Sequence, residues 1–296
     1  MLTISLLLIL PVIYAKIQVD ITASNGDDKL IHLSGSSLHP ITDDEKHTFD
    51  LTEENLKNAV LRYFGAMPDH AYVKSPTPWG DLYKTFSWNE VHTALKPIRA
   101  KMLSSSSEQL LVHKEMMNNT QDQPMKLNTK IEKNLENAVM SFWDMDGELT
   151  VNQDIQYNFH FKTNKETEMP FSYTSKWGVE TWKMEHITVG SKYPIEIPFE
   201  PNQNIMLELQ TTKGVMKIQV DYEATLHGSA AVNFSNKKGG HHFWSLDITS
   251  LVDAGDLRRS VKSTEVLEVM FHSDAKLVVY DASTMNVLYT KPMDIY

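Results

Sequence analysis

The chain has 296 residues and a mass of 33.8 kDa, with 41% hydrophobic and 22% charged residues. That is ordinary globular chemistry and excludes wholesale disorder and collagen-like repeats. Its 28 Lys and Arg against 38 Asp and Glu give a formal charge of −10, so nucleic acid is not an expected partner. Cysteine is absent, which removes disulfide frameworks, thiolate zinc sites, thiol nucleophiles and iron–sulfur clusters together.

The apolar run from Leu2 to Leu10 is too short to span a bilayer and is broken by Pro11. With the small residue Ala15 behind it, the segment 1–15 reads as a secretory signal peptide, so the chain is expected to be secreted and extracellular. Two Asn-x-Ser/Thr sequons, at Asn118 and Asn233, are candidate glycosylation sites on that route.

Residues 16–107 read as an α+β part. Ile17, Val19 and Ile21 alternate with polar residues, and Asn25-Gly26-Asp27-Asp28 makes a turn. Asp43-Asp44-Glu45 reads as an exposed acidic run. A helix is predicted after the N-cap Thr52, with Leu56, Val60, Leu61 and Phe64 on one face and Gly65 as its stop. From Met67 to Trp88 the chain is irregular and aromatic. Its rings either fill a small core or form a surface that docks a sugar, a lipid headgroup or a receptor. Trp79, Tyr83 and Trp88 are the receptor-binding candidates. The run Ser104-Ser105-Ser106-Ser107 is the expected boundary of this part.

Residues 108–296 have a different texture. From Leu149 to Phe161 the alternation is nearly unbroken: Leu149, Val151, Ile155, Tyr157, Phe159 and Phe161 share one face. Asn152, Asp154, Gln156, Asn158 and His160 share the other, and period two over this length argues a strand. Asp146-Gly147 is a hairpin dipeptide that would fold this strand back on Leu127 to Trp143, itself read as strand. Phe171, Tyr173, Ser175, Trp177 and Val179 again share a parity; Tyr193 to Phe199 is extended; Ile205, Leu207 and Leu209 alternate. Lys213-Gly214 reads as a turn, and strand patterns continue through Val266 to Phe271, Leu277 to Tyr280 and Val287 to Tyr289. Some of these strands are about twice the usual five or six residues.

The stretch Asn118-Asn119-Thr120-Gln121-Asp122-Gln123-Pro124, the segment ending Ser141-Phe142-Trp143 and the strand to Phe161 together resemble the opening of an aerolysin-like β-pore-forming module. Ile195-Glu196-Ile197-Pro198-Phe199-Glu200-Pro201-Asn202 resembles its proline-bearing segment, and Val220-Asp221-Tyr222-Glu223-Ala224-Thr225-Leu226-His227-Gly228 its closing strand. The match covers roughly Val112 to Gly228, a match of texture with no invariant motif. Within the family the chain is most similar to the epsilon-toxin/mosquitocidal-toxin branch and its spherulin-like and insect secreted members. It departs in its polar face, which uses Asn, Gln, Asp and His where family hairpins use Ser and Thr.

The resemblance implies a mainly β, elongated, long-stranded aerolysin-like module with a smaller N-terminal α+β part. It implies a protein that binds a cell-surface membrane or glycan receptor, forms a homo-oligomer and inserts a β-hairpin as a pore, in a toxin, venom or defence role. An inserted sheet must close, because unpaired backbone groups in hydrocarbon are costly, and one hairpin per chain makes oligomerisation obligatory. The hairpin would come from about Leu127 to Phe161, with the apolar face of Leu149 to Phe161 on lipid and Asn152, Asp154, Gln156, Asn158 and His160 lining the lumen. The same alternation also describes any sheet with one face on a core. The rival readings are a non-lytic storage or matrix protein of egg or spore material, and a carbohydrate-binding module using Trp79 and Trp88.

No Gly-x-Ser-x-Gly, His-Glu-x-x-His or Gly-x-x-x-x-Gly-Lys occurs. No catalytic residue, metal site or cofactor is therefore expected, and Gly239-Gly240-His241-His242 reads as a solvated turn. Twelve histidines against the acid excess imply that acidification lowers anionic repulsion and favours assembly.

Overall fold

The computed structural model describes residues 16–23, 29–145, 153–162 and 168–296. The predicted signal peptide, the Asn25–Asp28 turn, Asp146-Gly147 and the candidates Leu149, Val151 and Asn152 lie outside these residues. The N-terminal elements are β1 (Ile17–Ala23), β2 (Lys29–Ser34), β3 (Ser37–Pro40), α1 (Asp43–Thr48), α2 (Glu53–Phe64), β4 (His70–Tyr72) and α3 (Pro78–Phe86). Long strands follow: β5 (His92–Asn118), β6 (Met125–Thr129), β7 (Glu132–Met145), β8 (Asp154–Lys162), β9 (Glu168–Lys176), β10 (Thr181–Gly190), β11 (Ile195–Phe199) and β12 (Asn204–His227). The chain ends in β13 (Ser229–Lys238), β14 (His241–Asp247), α4 (Ile248–Gly255), β15 (Ser260–Asp281), β16 (Val287–Pro292) and β17 (Asp294–Ile295).

One twisted sheet forms the frame, in the order β17-β10-β7-β15-β12-β5-β3, with β16 beside β15. Its three longest strands have 27, 24 and 22 residues, so the frame is elongated, about 90 Å along β5 at 3.3 Å per residue. The mainly β, long-stranded architecture is the expected one. A second sheet, β2-β1-β8-β9, lies face to face with the middle of the frame, and their facing side chains form the main core. At one end the β6–β11 pair covers Ile205, Leu207, Leu209, Leu277 and Val279 of the frame with Ile195, Ile197 and Phe199.

The head at the other end draws on both halves of the sequence. β4 pairs with β13, α2 packs on α4, and Arg62 Nη1 donates to the carbonyl of Gly255 at 3.2 Å. The expected boundary at Ser104–Ser107 is accordingly corrected. The serines sit inside β5, in register with Lys217 to Gly214, and are exposed because, among the described residues, the strand has no pairing neighbour on its other side there. Small polar side chains suit such an edge, so they do not mark a linker. The turn at Lys213-Gly214 is also corrected: β12 runs through it, and Gly214 is there because the Phe271 ring lies where a Cβ would stand, 2.3 Å away. At Gly228, between β12 and β13, φ is +102° and a Cβ would meet the carbonyl oxygen of Glu90 at 2.0 Å. Glycine is required for this turn into the head.

Helix α2 starts and stops as predicted, at the caps Thr52 and Gly65. The acidic run before it is corrected. Asp43-Asp44-Glu45 begins α1, and Glu45 is fully buried in a capping box with Thr42. Its Oε2 accepts from the Thr42 backbone at 2.7 Å, and its Oε1 meets His39 Nε2 at 2.7 Å. Glu45→Ala should therefore lower stability by about 2 kcal/mol, leaving the half-buried Thr42 N–H and His39 ring without their shared partner. Thermal unfolding of the variant, with Asp44→Ala as the exposed control, checks this.

Candidate functional site

The site is the β8–β9 hairpin. The two strands pair antiparallel from Asp154↔Lys176 to Lys162↔Glu168, and β8 pairs parallel with β1 from Ile17↔Ile155 to Ala23↔Phe161. The predicted fold-back of Leu149–Phe161 on Leu127–Trp143 is corrected: β7 lies in the frame between β10 and β15, and β8 returns along β9 instead. Strand alternation is equally satisfied by either partner, so only register in three dimensions separates them.

The predicted division of faces holds where it is described. Ile155, Tyr157, Phe159 and Phe161 are buried, and Asp154, Gln156, Asn158 and His160 point to the other side. The buried face continues across the sheet through Ile17, Val19 and Ile21 of β1 and Phe171, Tyr173, Ser175 and then Trp177 after β9. Its rings form a ladder: Phe159 stacks on Phe161 at 6.1 Å and meets Phe171 at 5.7 Å. Phe161 stacks on Phe271 of the frame at 3.9 Å and 5°. The Phe271 ring can lie flat there because Gly214 beneath it has no side chain.

Polar groups pin the same face. Glu265 of β15 is fully buried, and its partners are four hydroxyls. Ser141 of β7 and Ser175 of β9 each donate to Oε1 at 2.5 Å. Tyr157 of β8 donates to Oε2, and Tyr222 of β12 lies 3.5 Å from it. Tyr157 and Tyr222 meet each other at 2.6 Å. Burial raises the Glu265 carboxyl to about 7, against the pull of the four hydroxyls that favour its ionised form. Trp177 Nε1 donates to Ser263 of β15 at 2.8 Å, and Lys183 of β10 donates to the Ser172 carbonyl at 2.7 Å. Sequence analysis missed Glu265. The signal was its parity with Val261, Ser263, Leu267, Val269 and Phe271, which places a glutamate on an inward face.

On the outer face of the hairpin, Asp154 faces Lys176 at 3.5 Å, and Asn158 Nδ2 donates to Asp20 Oδ1 of β1 at 2.8 Å.

The receptor candidates separate. Trp79 is 50% exposed, held in a left-handed turn with Gly80 and Asp81 (φ +64°, +75° and +64°). Its ring lies 5.2 Å from Phe243, which lies 6.2 Å from the exposed Phe86, itself stacked on the half-buried Trp88 at 4.8 Å. Tyr83 is corrected: it is buried, and its hydroxyl meets the carbonyls of Tyr72 and Ser229, at 2.8 and 3.0 Å, and the Ala231 backbone N–H, so it builds the core under the patch. Phe243, from the far half of the chain, was missed because only the fold brings β14 beside α3. Asn233 is corrected as a glycosylation site: its side chain is buried in β13 between β4 and β14. Asn118 is exposed at the end of β5.

Among the described residues no group of three or more His, Asp or Glu is placed to hold a metal, and no helix is long and apolar enough to cross a membrane, which says nothing of strands.

The chain is 32% identical over 261 residues to U-megalopygitoxin(8)-Mc8 of Megalopyge crispata, covering 87% of this chain and 90% of that one. This chain belongs to the U-megalopygitoxin(8) family. It is also 33% identical over 251 residues to U-megalopygitoxin(8)-Mo12 of Megalopyge opercularis, covering 85% of this chain and 86% of the relative. No protein-family profile matches the chain. Among solved structures, the parasporin-2 toxin of Bacillus thuringiensis, described as recognising cancer cells, superposes with a TM-score of 0.57. The match covers 87% of this chain and 99% of parasporin-2 at 12% identity, so the likeness is one of fold. The elongated aerolysin-like fold implied by the sequence resemblance is the fold of this family member.

Gly214→Ala should push the Phe271 ring off Phe161 and cost roughly 2 kcal/mol as overpacking in a dense core. Hydrogen exchange should show the loss of protection concentrated in β8–β9; unchanged protection there would mean that the Phe161–Phe271 stack does not hold the hairpin.

Proposed function

We propose that this chain is a secreted, non-enzymatic toxin that binds a target-cell membrane, assembles with further copies of itself and inserts the β8–β9 hairpin as part of a closed β-barrel pore. Family membership among toxin-named relatives supports the toxin role. The observation that carries the pore is the hairpin itself. Each of its strands has 9 described residues, matching the roughly 9–11 of a membrane-crossing strand, with one mainly apolar face, broken by Ser175, and one polar face. Leu149, Val151, Ile155, Tyr157, Phe159 and Phe161 would meet lipid. Asn152, Asp154, Gln156, Asn158 and His160 would line the lumen. Burying the face against the frame stabilises the soluble form by on the order of 10–15 kcal/mol, at about 2 kcal/mol for each large side chain. Lipid offers an equivalent apolar surroundings, so leaving the frame becomes possible only where a bilayer replaces it.

The Trp79–Phe86–Phe243 patch, with Trp88 beneath it, suits attachment to a membrane or glycan receptor, because exposed aromatic rings stack on sugars and settle at headgroups. Self-association is favoured by two frame edges. Residues 181–187 of β10 and 96–118 of β5 have no strand neighbour on their outer side among the described residues, and Trp182 and Met184 are exposed on the first. Asn118 remains the accessible sequon.

Dye leakage from liposomes, with rings visible by electron microscopy, tests the reading directly. Asp20→Cys with Asn158→Cys places a bridge across the β1–β8 ladder, where neighbouring Cα atoms come within disulfide reach. The oxidised protein should bind membranes without leakage and regain leakage on reduction; full leakage while oxidised would remove β8 from the pore. In planar bilayers Asp154→Lys should shift the pore toward anions, since a ring of this residue from every subunit would set the lumen charge.

A further inference from the structure

Glu265 is a carboxyl with no exposed surface, surrounded by hydroxyls and aromatic rings. Its partners are distributed in a telling way. Ser141, Tyr222 and Glu265 belong to three strands of the frame, whereas Tyr157 and Ser175 belong to the two strands of the hairpin. One carboxyl therefore bridges the frame to both strands of the hairpin. The titratable groups facing it are Tyr157 of β8, Tyr173 of β9 and Tyr222 of β12, all three raised by burial and so neutral. From β7 it faces Ser141, and along its own strand Ser263 and Leu267 share its side. Asp154 and His160 lie on the far face of the hairpin, and Asp221, Lys262 and Glu268 on the far face of the frame. The hydroxyls that touch it carry no charge to balance a carboxylate.

We propose that Glu265 is a proton-controlled clasp that holds the β8–β9 hairpin against the frame when neutral and weakens its hold when ionised. The inference rests on the reading of β8–β9 as the segment that leaves. In the packed state burial lifts the carboxyl from 4.5 to about 7, whereas a carboxyl uncovered by departure of the hairpin returns to the ordinary range. The packed state thus keeps its proton over a window in which the open state has lost it. Stability of packing is complete below about pH 4.5 and falls as pH rises toward 7. Each pH unit within that window multiplies the open fraction by about ten, and the gain levels off above it. This runs against the histidine-driven effect expected from composition: acid favours contact between chains but keeps the hairpin down, so insertion is directed to neutral surroundings.

The test needs no membrane. Amide hydrogen exchange of residues 154–162 and 168–176 in the full chain in solution, corrected for the intrinsic pH dependence of exchange, should show protection falling about tenfold per pH unit from pH 5 to 7. In Glu265→Gln, which keeps the shape but cannot ionise, protection should be flat with pH. A pH-independent hairpin in the unsubstituted chain, or an unchanged slope in Glu265→Gln, would overturn the clasp. Ser175→Ala covers the case in which Glu265→Gln does not fold. Losing a donor to the ionised form should move the inflection to higher pH, and an unmoved or lowered inflection overturns the proposal. A chain that shows this exchange behaviour yet never leaks vesicles would sink the pore and leave the clasp standing.

Discussion

The apolar face of β8–β9 against the frame is the contact on which everything else in this molecule depends. An amphipathic two-stranded unit cannot rest alone in water, since its rings would be exposed and its edges open. The frame supplies a matching inner face, with Val261, Leu267, Val269 and Phe271 on β15 and Met216, Ile218, Val220 and Tyr222 on β12. Strand β1 closes the free edge of β8, and β2 continues the sheet beyond it. The length of the frame follows from the same need: strands of 22 and 24 residues present enough inner face for the hairpin sheet at the middle and the β6–β11 pair at one end.

The contact combines a strong nonspecific attraction with a small number of specific links. Stacked rings supply the bulk, and they would pack as readily on lipid as on the frame. The links through Glu265, Ser263 and Lys183 fix the register, and a bilayer cannot reproduce them. A buried polar cluster of this sort adds little net stability but discriminates between packings. The packing is thereby specific in its register, while most of its attraction comes from nonspecific burial of rings.

The head is built differently. It closes only when β13, β14 and α4 return from the far half of the chain to join α2, β4 and α3. Its exposed rings Trp79 and Phe86 pack on the half-buried Phe243 from the far half, and the buried Tyr83 beneath them joins the β4 and β13 backbones. This surface is joined to the frame at two places: β12 runs directly into β13 through Gly228, and β3 pairs with the start of β5.

Alternation by itself determined the strands and their faces. Ile155 to Phe161 and Phe171 to Trp177 are buried on the parity that the sequence shows, because a pleated strand sends successive side chains to opposite sides whatever its partner. Capping chemistry likewise determined α2, since Thr52 and Gly65 act within one turn of chain. Pairing was decided by the tertiary structure alone. Whether β8 returns along β7 or β9 changes no residue's parity, so the hairpin dipeptide pointed to the wrong neighbour. The long edge at Ser104–Ser107, the ring over Gly214, the buried Asn233 and Tyr83 and the Glu265 cluster each depend on contacts between residues 57 to 163 positions apart, at separations where a single sequence carries no pairing signal.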